Sequence, residues 1–409
     1  MIAGIADHFA DGTGDCMYSD QPCDRRAFLK SYGFAAVGCA ISGVLHATSP
    51  SVEVPAVICL KSWEIVEIPS LQGKRKRVLK ITASNGAFGL SRLLNDSTDL
   101  YAARQAVGEA NLLDHDAVYN LMAAANVPLS QLAMFDIACW DLHARMLDKP
   151  LHVLLGTRRK AVLRYGDVRG TQPEFSPEKY AASLARSFER TGMKATKLHF
   201  PGCMGTPDSI SFKDVLETLK QVRAAVGSDK ILAWDPYPRS AESATPSLDE
   251  AREILALMDD LGYSWIEGPL LPTPFETQIP KYVELMRTAR TKQRVQAEGP
   301  NSPIGDGTSF EVMKQWVEAG AVNQCSTDVY LAGGVTNAIR MLEYARKYPG
   351  RKIVINLHWA WAPHAHLAMA YDDAVLPIVE FPMVEEIPRE YTDATHLLAP
   401  DWPGIYKIN

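Results

Sequence analysis

Several things are scarce in this chain, and each scarcity excludes a class. Seven cysteines among 409 residues, Cys16, Cys23, Cys39, Cys59, Cys139, Cys203 and Cys325, form no Cys-x-x-Cys pair and no zinc-ligand spacing. They read as mostly buried or free thiols, not as a disulfide framework or zinc module. Positive charge is not in excess: the formal net charge is −6, which argues against a nucleic-acid partner. No apolar run reaches the roughly 20 residues of a membrane-spanning helix, and there is no internal repeat beyond a strand-plus-helix rhythm. What remains is a chain that is 47% apolar and 22% charged, able to bury a large core in about two domains.

The strand-plus-helix rhythm carries the chemistry. Asp235, Glu267 and Glu298 each end a short apolar run: Ile231-Leu232-Ala233-Trp234-Asp235, Tyr263-Ser264-Trp265-Ile266-Glu267 and Arg294-Val295-Gln296-Ala297-Glu298. They stand about 30 residues apart, the length of one strand plus one helix. In a parallel barrel the strand ends open on one face, so the three carboxylates converge. Converging carboxylates repel unless a cation lies between them, and an all-oxygen donor set suits Mg²⁺.

The same interval continues on both sides. Ala195-Thr196-Lys197-Leu198-His199 comes before, with Lys197 and His199 two apart and therefore on the same side of a strand. Gln324-Cys325-Ser326-Thr327-Asp328, Ile353-Val354-Ile355-Asn356-Leu357-His358 and Leu376-Pro377-Ile378-Val379-Glu380 follow. Seven successive strand ends thus carry ionisable residues, while the strand bodies are apolar in the manner of buried parallel strands.

Residues from about 54 to 409 resemble the enolase superfamily, and within it the mandelate racemase and muconate lactonizing enzyme branch. The resemblance rests on Ala133-Met134-Phe135-Asp136-Ile137-Ala138-Cys139-Trp140-Asp141-Leu142, Lys149-Pro150-Leu151, Leu154-Leu155-Gly156, the Lys-x-His pair, the three carboxylates, and Asp328 followed by Gly333-Gly334-Val335-Thr336. It implies a modified (β/α)₇β TIM-type barrel with an α+β N-terminal capping domain. It also implies one Mg²⁺ held by Asp235, Glu267 and Glu298, and removal of the proton alpha to a substrate carboxylate. The expected organisation is a leader at 1–53, a capping domain at 54–158, the barrel at 159–385, and a segment at 386–409 that packs back on the cap.

The leader has Asp24-Arg25-Arg26-Ala27-Phe28-Leu29-Lys30, then a short apolar stretch from Gly33 to Ala47. That order resembles a twin-arginine export signal and gives a periplasmic expectation; a surface helix with an Arg-Arg pair is the alternative. In the cap, alternation around Val54–Leu60 and Val78–Ile81 predicts antiparallel strands joined near Leu71-Gln72-Gly73-Lys74, with helical periodicity from about Ala106 to Leu147. The run Lys74-Arg75-Lys76-Arg77 reads as a solvated turn, with substrate steering as the alternative.

The resemblance gives Asp328 and His358 the role of a dyad on one face of the substrate and His199 a role on the other. A carboxylate beside an imidazole orients it and supports its charged form. Lys197 would neutralise the substrate carboxylate or tune His199. Glu380 would bind the substrate carboxylate or form an ion pair at the rim, and His364 and His366 read as loop or helix-start residues. The chain departs from the family pattern at Tyr237, where relatives often have Asn and a different substrate contact follows, and at Gly268 and Ala297.

The leading expectation is an acid-sugar dehydratase acting on a small-molecule carboxylate. A racemase or epimerase using His199 and His358 on opposite faces, and a noncatalytic binding barrel, are the alternatives. Relatives often assemble as dimers or octamers, so a homo-oligomer is possible.

Overall fold

The computed structural model describes residues 57–69, 75–93, 100–169, 175–200, 210–236, 246–270, 275–289, 291–297, 307–348, 352–380 and 386–408. The expected leader, the hairpin tip at 71–74, Tyr237 and Glu298 lie outside them.

The N-terminal part is a three-stranded antiparallel sheet, β1 (Leu60–Pro69), β2 (Arg75–Ala83) and β3 (Phe88–Arg92), in the order β1-β2-β3. Val78, Leu79 and Ile81 are among its buried positions, with Ala83 and Leu90. The helical periodicity expected from Ala106 to Leu147 resolves into three helices, α1 (Tyr101–Val107), α2 (His115–Ala124) and α3 (Leu129–Met146). The breaks have local causes: Gly108 and Asn126 take positive φ, and Pro128 stands at the start of α3. Helix α3 is the spine of the cap. A Cβ on Gly89 of β3 would fall 2.0 Å from the Ala138 carbonyl oxygen, so glycine is what lets this strand lie on the helix backbone.

After the one-turn helix α4 (Leu151–Leu154), strand and helix alternate: β4 (Ala161–Arg169), α5 (Pro177–Thr191), β5 (Ala195–His199), α6 (Phe212–Val226), β6 (Ile231–Trp234), α7 (Leu248–Asp260), β7 (Trp265–Glu267), α8 (Phe275–Ala289), β8 (Arg294–Gln296), α9 (Phe310–Glu318), β9 (Gln324–Thr327), α10 (Val335–Lys347), β10 (Val354–Leu357), α11 (Ala362–Ala370) and β11 (Ile378–Glu380). Serines start four of these helices by accepting a backbone N–H: Ser176, Ser211, Ser247 and Ser309.

The eight strands β4 to β11 form a parallel sheet in the order β10-β9-β8-β7-β6-β5-β4-β11, with β12 (His396–Leu398) antiparallel to β4. This is a nearly closed (β/α)₇β barrel of the TIM type, as expected. Tyr165, Ala195, Ala233, Trp265 and Ile378 pack together from five of its strands, which makes the interior a filled core. Among the described residues no helix is long and apolar enough to cross a membrane.

One expectation changes: Lys76 is not simply a solvated turn residue, since it lies in β2 and its Nζ is 3.0 Å from Oε1 of the buried Glu386. His364 falls in the first turn of α11, a helix-start position, and His366 lies two residues further on; both are fully buried, because this helix is buried along its whole length and leaves no face to solvent.

Candidate active site

Register brings the strand-end residues level. Leu198 pairs with Trp234 and Trp234 with Ile266, so the following residues, His199, Asp235 and Glu267, stand side by side. Lys197 points into the same space. Its ammonium lies 3.3 Å from Glu267 Oε2, 3.5 Å from Asp235 Oδ2 and 3.6 Å from Glu380 Oε1. Burial alone would lower this lysine's pKa, but Glu267 and Glu380, with Tyr165 and Asp235, outweigh it and hold the ammonium well above its ordinary value. His199 Nδ1 is 3.5 Å from Asp235 Oδ2.

Asp235 and Glu267 therefore meet in one buried, oxygen-rich space, a donor type that suits a hard divalent cation. Glu298, the third predicted ligand, lies outside the described residues. Among those that are described, no group of three or more His, Cys, Asp or Glu is close enough to hold a metal ion.

Across the barrel, Leu357 pairs with Thr327 and the His358 N–H donates to the Thr327 carbonyl, which puts His358 beside Asp328. His358 Nδ1 is 3.2 Å from Asp328 Oδ2. That contact orients the imidazole against the carboxylate. The His358 side chain keeps 23% of its exposure whereas Asp328 keeps 3%, so the imidazole is the more accessible member of the pair. Burial would raise the Asp328 carboxyl, yet the hydrogen bond from His358, the electrostatic influence of the His364 and His358 imidazoles beside it, and the Trp361 N–H hold it below its ordinary value.

The chain turns sharply after His358. Trp359 has φ +51°, an uncommon and strained conformation for a bulky side chain. Its N–H donates to Glu380 Oε2 at 2.8 Å, and its carbonyl accepts from His364 Nδ1. The other His364 nitrogen accepts the Val329 N–H at 3.1 Å. Burial pushes His364 below the usual histidine range, and with one nitrogen donating and the other accepting it is a neutral clamp between two strand-end loops. His366 is held at about 3 by burial and binds the Ile405 carbonyl. Glu380 thus holds Lys197 and the Trp359 backbone together.

Sequence reasoning missed Trp361. Its indole N–H donates to Asp328 Oδ2 at 2.7 Å. The Trp-x-Trp spacing directly after His358 was a signal available in the chain. Arg92, whose guanidinium sits 4.2 Å from the centre of the Trp361 ring, gave none, because it is far away in sequence.

Residues 179–405 match the family described as Enolase C-terminal domain-like. The chain is 27% identical over 245 residues to the hydrophobic dipeptide epimerase of Roseobacter litoralis, covering 59% of this chain and 61% of that protein. It is 26% identical over 288 residues to the L-talarate/galactarate dehydratase of Salmonella typhimurium, covering 66% and 64%. The chain thus spans about three fifths of the length of each. The solved D-glucarate dehydratase from Agrobacterium tumefaciens, complexed with magnesium, superposes with TM-score 0.66 at 20% identity, covering 85% of this chain and 96% of that one.

Proposed function

Because the chain belongs to the enolase superfamily, in its mandelate racemase and muconate lactonizing enzyme branch, we propose that it is a Mg²⁺-dependent acid-sugar dehydratase. The observation that carries this reading is the accessible His358 bonded through Nδ1 to the buried Asp328. Similarity to dehydratases among its relatives supports it further.

Asp235, Glu267 and Glu298 would hold the cation, and the two that are described offer the buried oxygen donors it needs. When bound, the ion supplies Lewis-acid stabilisation of the charge that develops on the substrate carboxylate. Lys197, kept protonated by its carboxylate neighbours, adds a second positive charge to the same region. His358 Nε2 takes the alpha proton, and Asp328 stabilises the resulting imidazolium. The β C–O bond then breaks as a protonated imidazole, of His358 or His199, gives its proton to the departing hydroxyl. Water leaves, and the enol that remains tautomerises to a 2-keto-3-deoxy acid. Histidine suits both steps because its ordinary pKa of about 6.5 lets it give and take protons near neutrality.

The test is a screen of the purified protein against acid sugars, read as 2-keto acid, with Mg²⁺ and with chelator. The expected outcome is metal-dependent keto-acid formation from at least one sugar. Interconversion of epimers with no keto acid would replace this reading with an epimerase.

A further inference from the structure

The two donors on Asp328 Oδ2 differ in origin. His358 belongs to the proposed chemistry; Trp361 belongs to the start of α11 and is tied to the capping sheet. Arg92 of β3 lies over the Trp361 ring at 4.2 Å, and its Nη1 is 3.4 Å from Glu386 Oε1. Lys76 of β2 binds the same Glu386 oxygen at 3.0 Å, while Oε2 accepts the Ala362 N–H at 3.1 Å, next in chain to Trp361. The Tyr330 ring meets Trp361 edge-on at 5.6 Å, and the Tyr330 N–H donates to Asp328 Oδ1 at 2.8 Å. The indole is therefore held by its ring contacts and by the carboxylate its N–H binds.

We propose that Arg92 of the capping sheet is a positioning residue for the His358–Asp328 pair, acting through the Trp361 indole. The proposal rests on the reading of that pair as the proton-transfer centre. A cation over an indole face is attracted to the ring and draws electron density from it, which strengthens the N–H as a donor. That donor shares Oδ2 with the imidazole. A carboxylate oxygen that accepts two bonds offers less to each, so Trp361 limits how tightly Asp328 holds the imidazolium and fixes the plane of the carboxylate. The charged and titratable groups facing His358 among the described residues are Asp328 at the end of β9 and His364 on α11. Glu380 at the end of β11 binds the adjacent Trp359 backbone. Arg92 adds control from a different domain layer.

The experiment uses the full chain with ¹⁵N-labelled histidine imidazoles, the His358 signal being assigned by its loss in His358→Gln. In Trp361→Phe, which keeps a ring between Arg92 and Tyr330 but removes the donor, the His358 Nδ1–H proton resonance should move downfield as Asp328 binds it more tightly. On an acid sugar that the wild type dehydrates, kcat should fall by about tenfold with KM changed less than about twofold, because Asp328 loses the donor that fixes its carboxylate plane and a more tightly held imidazolium gives its proton less readily to the departing hydroxyl; the size is that of one lost hydrogen bond to a charged group. Arg92→Met should move the resonance the same way by less, and in the Trp361→Phe background it should add nothing. Lys76→Met, which shares Glu386 but does not touch the ring, should leave the resonance in place. An unmoved His358 signal in Trp361→Phe overturns the proposal, and so does an Arg92→Met effect that persists fully in that background. If the wild type dehydrates no acid sugar, the functional reading falls, while the resonance shifts still decide the coupling.

Discussion

Asp328 receives three donors, from His358, Trp361 and the Tyr330 backbone, and that count sets what a conservative change would do there. Asp328→Asn keeps the shape but removes the charge that supports the imidazolium. Turnover should drop on the order of a hundredfold or more while KM stays within a few fold, the pattern of an interaction used in the transition state. Steady-state kinetics on the sugar found by screening decides it; a KM effect without a kcat effect would make Asp328 a binding residue. The neighbouring Trp359 carries backbone strain that Glu380 and His364 offset from either side of the peptide. Glu380 therefore has intramolecular work as well as any contact with substrate.

At the scale of elements, the cap and barrel meet along α3 and α10. Asp136 of α3 accepts the Thr336 N–H at 2.9 Å and the Thr336 hydroxyl, which in turn accepts from the Trp140 indole at 2.9 Å. Burial raises the Asp136 pKa from 3.8 to about 7, because the Thr336 hydrogen bonds offset only part of the lost hydration. A carboxyl whose folded value exceeds its unfolded one stabilises the protein below about pH 4 and loses that contribution as pH rises through about 7. Asp136→Asn, which retains a donor and an acceptor, should flatten this decline, so urea unfolding at pH 5 and pH 8 should differ less in the variant than in the wild type. An equal pH dependence would mean that Asp136 is not its source. On the other side of α3, Gly89→Ala must force β3 away from the Ala138 carbonyl. The expected cost is at least about 2 kcal/mol, seen as a lowered Tm, and since β3 ends in Arg92 the contact with Trp361 should loosen too.

For the whole molecule, the proposed cation and the fold are linked by mass action. A ligand that binds the native state alone raises its stability, by about 2.7 kcal/mol at a hundred times the dissociation constant. Mg²⁺ should raise the Tm of the wild type and leave that of Glu267→Gln unchanged, with the variant inactive but folded. Keto-acid turnover near the wild-type level in Glu267→Gln would remove this carboxylate from the metal set. The chain's end also binds back into the cap: Asp141 Oδ2 accepts the Leu90 N–H at 2.8 Å and the Arg145 guanidinium at 2.6 Å, while its Oδ1 accepts the Ile405 N–H at 2.5 Å. One buried carboxylate thus joins β3, α3 and the backbone at Ile405.

The barrel was legible in the sequence because strand-helix units repeat at a nearly constant interval, and an ionisable residue after an apolar run marks each strand end whatever surrounds it. The same interval put His199, Asp235 and Glu267 side by side and His358 beside Asp328, since parallel register makes equal positions in successive units adjacent in space. Other features were decided by contacts between distant segments. In sequence Lys76 reads as a solvated charge; in the fold it pairs with Glu386, 310 residues away. His364 and His366 read as loop or helix-start residues, and their burial follows from packing of α11 on every side. The bond from Trp361 to Asp328, and the placement of Arg92 over that indole, depend on how the cap sits on the barrel. Periodicity records which face of an element is apolar; it holds no record of which polar side chains from remote elements will share a carboxylate, because that is fixed only when the layers pack.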